Sequence, residues 1–451
     1  MRMLSTRQFI FIVMTTITGL AAAYLLNIPL AFGFALGLIA LLGFSWKAGL
    51  SAKTLTGSML AGMKHTREVV WILALVGLLI PAWTASGTIP YMIDSGIHFI
   101  DPRYFVTFAF VLSAVISMLL GTSTGTLSSV GIPLMGLGGY LHIPLSMLAG
   151  ALVSGAFVGD RTSPFSSARQ LTGASTGVKG KEQWKAMLPT TVAGILVAVV
   201  CFAWEDWEGS WHHAGIAGFQ QQFGEGFIYS PWLLVPAAIL LLSIALRLGT
   251  RNGFMLSILS AVTIGSLFQH ITWTTWFQYL WNGYSSDRFH SLETKGFSSM
   301  IELMVLILMA GAFNGILEEN KVLQLFMEKL LGTKPTLLGA TMRTSIFGLL
   351  LCLISCNQTL PIMMTGRSLL PRWEQTFPRH QLTRIVADTS LIFAAMVPWN
   401  LLGVLCGTIL GVPVESYIMH APFLWSLPVC TWIWSYVCVR GETGSTYGID
   451  R

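Results

Sequence analysis

The chain has 451 residues, of which 53% are hydrophobic and 10% charged, against roughly 25% charged in ordinary soluble domains. A water-soluble fold of this size still exposes much of its area, so it cannot hide so much apolar surface, and a bilayer must be its solvent. The net charge of +6 would suit nucleic acid, but the basic residues collect in loops on one side of the predicted membrane, which favours a membrane reading with no nucleic-acid partner.

A transmembrane helix needs about 20 apolar residues. Arg2 and Arg7 precede an apolar run, and Ala21-Ala22-Ala23 imitates a signal-peptide cleavage site. The run lasts from 8 to 26, however, and a second follows at once after Asn27-Ile28-Pro29, so two spans are predicted rather than a cleaved leader. Full spans are predicted at 8–26, 28–46, 69–87, 145–166, 187–204, 232–247, 254–272, 300–317, 385–412 and 421–439. Two further apolar stretches carry polar residues at their middles. Residues 104–140 are interrupted by Gly121-Thr122-Ser123-Thr124-Gly125-Thr126, and 337–371 by Ser355-Cys356-Asn357-Gln358-Thr359. Irregular backbone is not tolerated against lipid, because its amides and carbonyls go unpaired. Both stretches are therefore predicted as re-entrant hairpins whose tips are buried in protein or line a wet cavity.

Charge tests this assignment. With Arg2 and Arg7 placed inside, the segments 47–67, 161–186, 318–343 and 367–384 also fall inside, and each carries four or five Lys or Arg residues. The outside segment 88–103 has only Arg103, 205–231 has no Lys or Arg, and 273–299 has Arg288 and Lys295. This is a positive-inside pattern with cytoplasmic termini in a bacterial inner membrane. Five spans and a hairpin (1–204) then recur, after an extracytoplasmic linker at 205–231, as five spans and a hairpin (232–439), followed by a cytoplasmic tail at 440–451. The offset is 235 residues from Gly121 to Cys356 and 234 from Pro164 to Pro398. Because five is odd, the second unit enters from the opposite side, giving the inverted-topology repeat typical of secondary transporters.

Ionisable groups inside the hydrocarbon zone are functional candidates by default. Asp160 lies in Gly159-Asp160-Arg161-Thr162-Ser163-Pro164, where glycine and proline break the helix and free backbone carbonyls. With Thr162 and Ser163 it supplies the oxygens that a hard cation such as sodium needs; the alternative is an Asp160–Arg161 pair at the boundary. Asp388, followed ten residues later by Pro398-Trp399-Asn400, is the second candidate acid; the alternative is a helix cap. The tips add Thr122, Ser123 and Thr124 in one half and Asn357, Gln358 and Thr359 in the other, with Asn400 at the second break. Sodium would be held by Asp160 and Asp388.

Other features read as structural. Glu302 sits one turn inside a span, and the histidines lie in loops or near span ends. Trp83, Trp204, Trp232, Trp273 and Trp425 fit an interfacial aromatic belt. Gly33/Gly37, Gly311/Gly315 and Gly407/Gly411 have the spacing for close helix packing. The six cysteines form no CxxC and lack partners for a zinc site. Gly121-Thr122-Ser123-Thr124-Gly125 matches a serine-hydrolase pattern, but that pattern needs a strand before it, and here an apolar helix precedes it. No phosphate-binding glycine loop is present.

These motifs resemble the NhaC family of sodium/proton antiporters, within the wider ion-transporter superfamily. The likeness rests on Gly121 to Thr126, Ser154 to Pro164, Phe313-Asn314-Gly315-Ile316-Leu317-Glu318, Gly366-Arg367, and Asp388 through Asn400, and it covers residues 8 to 440. The sequence departs at Asn357 and Ala387, where family members often carry an acid. The resemblance implies a scaffold domain, a mobile transport domain and a homodimer. It also implies exchange of sodium against protons, or, as in some relatives, of small organic acids such as malate and lactate.

The expectation is thus an all-α membrane protein of about ten transmembrane helices plus two re-entrant hairpins in two inverted repeats. It is expected to work as a secondary transporter rather than an enzyme, needing no cofactor beyond the sodium ions and protons it carries. The alternative is a gradient-coupled carrier of a small carboxylate or amino acid.

Overall fold

The computed structural model describes residues 5–26, 28–97, 101–209, 227–246, 248–285, 293–320, 336–355 and 357–446. The core of the predicted linker (210–226, with His212 and His213), His290, Cys356 and the tail beyond 446 lie outside the described residues. Among those described there is no strand.

The first half contains α1 (Thr6–Leu25), α2 (Leu30–Lys47), α3 (Ala52–Ala85), α4 (Thr88–Ile97), α5 (Phe105–Leu120), α6 (Ser123–Thr126), α7 (Ile132–Tyr140), α8 (Leu145–Thr162), α9 (Ser167–Thr176) and α10 (Gly180–Glu208). The second contains α11 (Val235–Ala245), α12 (Thr250–Phe268), α13 (Trp273–Asn282), α14 (Ile301–Glu319), α15 (Leu337–Ser355), α16 (Thr359–Trp373), α17 (Arg379–Asp388), α18 (Ser390–Phe393), α19 (Leu401–Leu410), α20 (Val414–Tyr417) and α21 (Pro422–Thr446). Seven of the described helices are long and apolar enough to cross a membrane, and two shorter apolar helices cover Arg7–Ala23 and Pro231–Ala245.

Small residues decide the packing. α3 and α14 run antiparallel, with Ser58 against Gly315 and Gly77 against Met300. A Cβ at Gly62 would stand 2.0 Å from the Gly311 carbonyl oxygen, so the two backbones touch there. Gly62→Val is expected to lower stability by about 1–3 kcal/mol through overpacking, read as a lower melting temperature in detergent. Gly33 and Gly37 seat α2 on α1 in the same way, whereas Gly411 (φ +70°) is a left-handed helix stop that meets no neighbour.

α5 and α8 run parallel. Ser113 Oγ donates to the Leu152 carbonyl at 2.8 Å, and Ser117 Oγ donates to the Ala156 carbonyl one turn on. The chain between them turns back at Gly121, and Gly138 on α7 comes to within ordinary contact of the Phe105 ring, at the start of α5. α15 and α16 pack against each other on either side of Asn357 and Gln358. α8 is central: every residue from Leu148 to Thr162 is buried.

Several boundaries differ from those read in the sequence. The segments predicted as inside loops at 47–67 and 161–186 are largely helical, as the first half of α3, as α9 and as the start of α10. α9 escaped notice because it is polar. It buries Ala168, Arg169, Thr172 and Thr176 against protein rather than lipid, so hydropathy does not mark it. The predicted span 385–412 begins earlier, at Arg379 behind Pro378, and breaks at Thr389 as well as near Pro398. Trp83 is not interfacial: it is fully buried and its Nε1 donates to Ser257 Oγ at 2.9 Å, a partner that lets an indole sit inside the bundle. Trp204, Trp232, Trp273 and Trp425 are exposed. Glu302 is exposed in the first turn of α14.

Candidate ion site at the hairpin tips

The site is assembled from three interruptions of helix. The first is at the end of α8. Ser163 precedes Pro164 and takes extended backbone (φ −61°, ψ 134°), as a residue before proline prefers. Ser163 Oγ then donates to the Met118 carbonyl at 2.7 Å. Ser166 restarts the chain as the N-cap of α9, accepting from the Arg169 amide. The second interruption is Gly121, whose positive φ (+69°) ends α5 and which admits no side chain, because a Cβ would lie 2.7 Å from the Phe165 backbone. The first tip therefore presses directly on the α8–α9 break. The third is the tip between α15 and α16, which carries Asn357 and Gln358.

Asp160 stands where these meet. Its side chain is nearly buried, at 6% exposure. Ser123 Oγ, on the first tip, donates to Asp160 Oδ2 at 3.4 Å. Ser166 Oγ, on the break, donates to Oδ1 at 3.2 Å and also to the Asp160 carbonyl. Gln358, on the second tip, donates from Nε2 to the Leu391 carbonyl at 3.1 Å, near enough to Asp160 for its amide to favour the charged carboxylate. One carboxylate is thus held by hydroxyls from the first tip and the break, with the amide of Gln358 on the second tip nearby.

The next residue points elsewhere. Successive residues on a helix diverge by about 100°, and Arg161 turns away from the tips towards α10 and α17. There it forms a fully buried ion pair with Asp388, donating from Nε to Oδ1 at 2.8 Å and also from Nη2. Its remaining donors go to Thr191 Oγ1, to Thr190 Oγ1 at 2.9 Å and to the Met187 carbonyl. Asp388 therefore meets Arg161, and the alternative Asp160–Arg161 pair does not form. Arg384 donates to Thr431 Oγ1 and Ser435 Oγ.

The other candidates divide as follows. Thr122 caps α6 by accepting from the Gly125 amide, and its hydroxyl lies 3.2 Å from that of Thr124. Thr162 donates to the Val158 carbonyl and to the Met118 sulfur. Asn357 Oδ1 accepts from the Leu360 amide at 2.9 Å, which starts α16. Asn400 ties the second break to the second tip, donating to the Cys352 and Asn357 carbonyls while its Oδ1 caps α19. Thr359 is exposed. Ser166 and Asn314 were not picked out as site residues. Asn314 donates to the Ser355 carbonyl beside the second tip, and its own oxygen is buried without a partner. The cue for Ser166 was its position before a polar helix, three residues ahead of Arg169, which marks an N-cap.

Among the described residues no three His, Cys, Asp or Glu side chains gather as a metal cluster. A cation at Asp160 would be held by one carboxylate with hydroxyl, amide and carbonyl oxygens around it, a donor set that suits a hard monovalent ion.

The model of the Na+/H+ antiporter family matches residues 210–438. The Na+/H+ antiporter NhaC of Bacillus subtilis is 27% identical over 408 residues, covering 88% of each chain. The malate-2H+/Na+-lactate antiporter of the same organism is 26% identical, over 84% of this chain and 82% of its own. The arginine/ornithine antiporter ArcD of Halobacterium salinarum is 27% identical, over 87% of this chain and 83% of its own.

Proposed function

The chain belongs to the Na+/H+ antiporter family, and from that premise we propose how this membrane antiporter, which is not an enzyme, exchanges its ions. Asp160 binds sodium and a proton in turn. A bound proton neutralises the charge that holds sodium, so each ion must leave before the other enters, and the exchange is obligatory. The observation that carries this reading is the joining of the first tip and the α8–α9 break at one buried carboxylate, with Gln358 of the second tip nearby. With Asp388 paired to Arg161, each cycle carries one sodium ion or one proton on one acid.

The proposed architecture is two inverted repeats of five spans and a re-entrant hairpin, 1–204 and 232–439, joined by an extracytoplasmic linker. Three features support it. α3 lies antiparallel against α14, its counterpart in the other half. α10 lies antiparallel against α21, with Glu205 meeting His420 and Gly194 meeting Leu427. Each half contributes one hairpin tip to Asp160. The basic loops then face the cytoplasm, with both termini there, in a bacterial inner membrane. Alternating access proceeds by rocking or elevator motion of the hairpins and broken helices against α1–α3 and α11–α14, in a proposed homodimer such as the family resemblance implies.

Proteoliposomes with a pH dye inside test the substrate. Sodium or lithium added outside should drive proton movement, and potassium, malate and lactate should not. A response to an organic acid alone would overturn the sodium reading. One organic class retains support: the groups around Asp160 are neutral, so an organic substrate bound there would offer a cation such as an ammonium group. A carboxylate substrate at Asp160 itself would meet like charge, and the neighbouring Arg161 is engaged by Asp388. Removing one ligand should weaken rather than abolish exchange. A hydrogen bond to a charged group contributes about 1.5–3 kcal/mol, so Ser123→Ala is expected to raise the half-saturating sodium concentration by about tenfold or more.

A further inference from the structure

We infer that the cavity beneath the α8–α9 break is a binding site for a phosphate group. The cavity holds about 830 Å³ and is lined by Arg169, Lys181 and Lys185, with Thr162, Gln183 and Trp184 among its other walls. Three cations line it and no acid does. Arg169 is 7% exposed. Its Nη1 donates to the Thr162 carbonyl at 3.1 Å and its Nη2 to the Gly180 carbonyl at 2.8 Å, while its Nε is buried with no partner. Unlike Arg161, this guanidinium has no carboxylate partner among the described residues, so its charge is left to an anion in the cavity.

Lys181 and Lys185 are exposed and one turn apart at the start of α10, so they share a face. Lys179, the N-cap of α10, makes no side-chain cap, so the first amides of a 29-residue helix add their positive end to the same place. A guanidinium donor and two ammonium groups match an anion with several acceptor oxygens around one centre, which is the chemistry of phosphate. Two sources offer it: the headgroup of an anionic phospholipid and a soluble phosphate. The cavity lies on the basic face, which the proposed orientation makes cytoplasmic. Its occupant would bear on transport, because Arg169 holds the carbonyl of Thr162, two residues beyond Asp160.

The inference does not depend on which ion is carried, so it is tested by binding. Purified protein is melted in a non-ionic detergent titrated with sodium phosphate against sodium chloride at equal ionic strength. It is also melted in nanodiscs of phosphatidylcholine with and without phosphatidylglycerol. A rise in melting temperature with either phosphate source supports the site, and the arm that responds identifies the source. Lys181→Ala/Lys185→Ala, two exposed positions, should weaken the response by about 30-fold, and Arg169→Lys should weaken it as well. No rise in either arm, or a response unchanged in the double-lysine variant, would overturn it.

Discussion

Asp160→Asn is expected to abolish exchange while leaving a folded, membrane-inserted protein. The substitution keeps the shape of the side chain: its oxygen still accepts from one of Ser123 and Ser166, and its NH2 can donate to the hydroxyl of the other, so the tip and the break stay in register. What it removes is the negative charge. Without it the site has neutral oxygens only, which leave the cation's charge uncompensated in a buried place, and an amide cannot take up the proton. The loss should be complete rather than partial, because both ions use the same group. Yield, monodispersity and melting temperature in detergent should stay close to those of the parent protein. A variant that still moves protons in response to sodium would remove Asp160 from the mechanism. A variant that aggregates would instead make the residue structural, and Asp160→Glu, which restores the charge, would then be expected to recover folding without the sodium response.

The second large effect lies one residue away and has the opposite character. Arg161 and Asp388 are both fully buried, so deleting either leaves an uncompensated charge inside the protein, which costs about 3–5 kcal/mol. Arg161→Met and Asp388→Leu are each expected to accumulate poorly and to melt far below the parent. The double variant should recover most of that loss, because replacing a buried pair by apolar groups of similar size is often neutral. Thr190 and Thr191 would not be stranded, since each already donates to the Met187 carbonyl. Asp388→Asn separates the two roles open to this acid. A destabilised protein relieved by the accompanying loss of Arg161 identifies a structural pair. A protein of normal stability that no longer exchanges ions identifies a second transport acid.

Much of this was legible in the sequence. Asp160 declared itself because a carboxylate within an apolar run, beside glycines and ahead of a proline, has few structural uses. The tips were legible for the same reason: polar residues at mid-span must meet protein or water. The sequence marks Ser123 and Gln358 as candidates on this ground, and the structure places the Ser123 hydroxyl 3.4 Å from the Asp160 carboxylate. The Arg161–Asp388 pair was not, because 227 residues separate the partners and nothing local to either records the other. α9 was missed because hydropathy detects contact with lipid, and this helix contacts protein. Trp83 was misplaced for a related reason, since the sequence shows an amphipathic ring but not the serine 174 residues away that satisfies it. The apolar stretches on either side of each tip are clear from their length, whereas the break at Thr389 has neither a glycine nor a proline to announce it.

The central claim is that sodium and a proton occupy one carboxylate in turn, and its most direct test needs no membrane. Purified protein in a weakly buffered detergent solution is given sodium chloride, and released protons are followed with a pH dye. Cation binding to a protonated ligand must expel the proton, so the account predicts release of about one proton per chain on adding sodium, none on adding choline chloride, and none from Asp160→Asn. Sodium binding without proton release, or equal release from the variant, would contradict it.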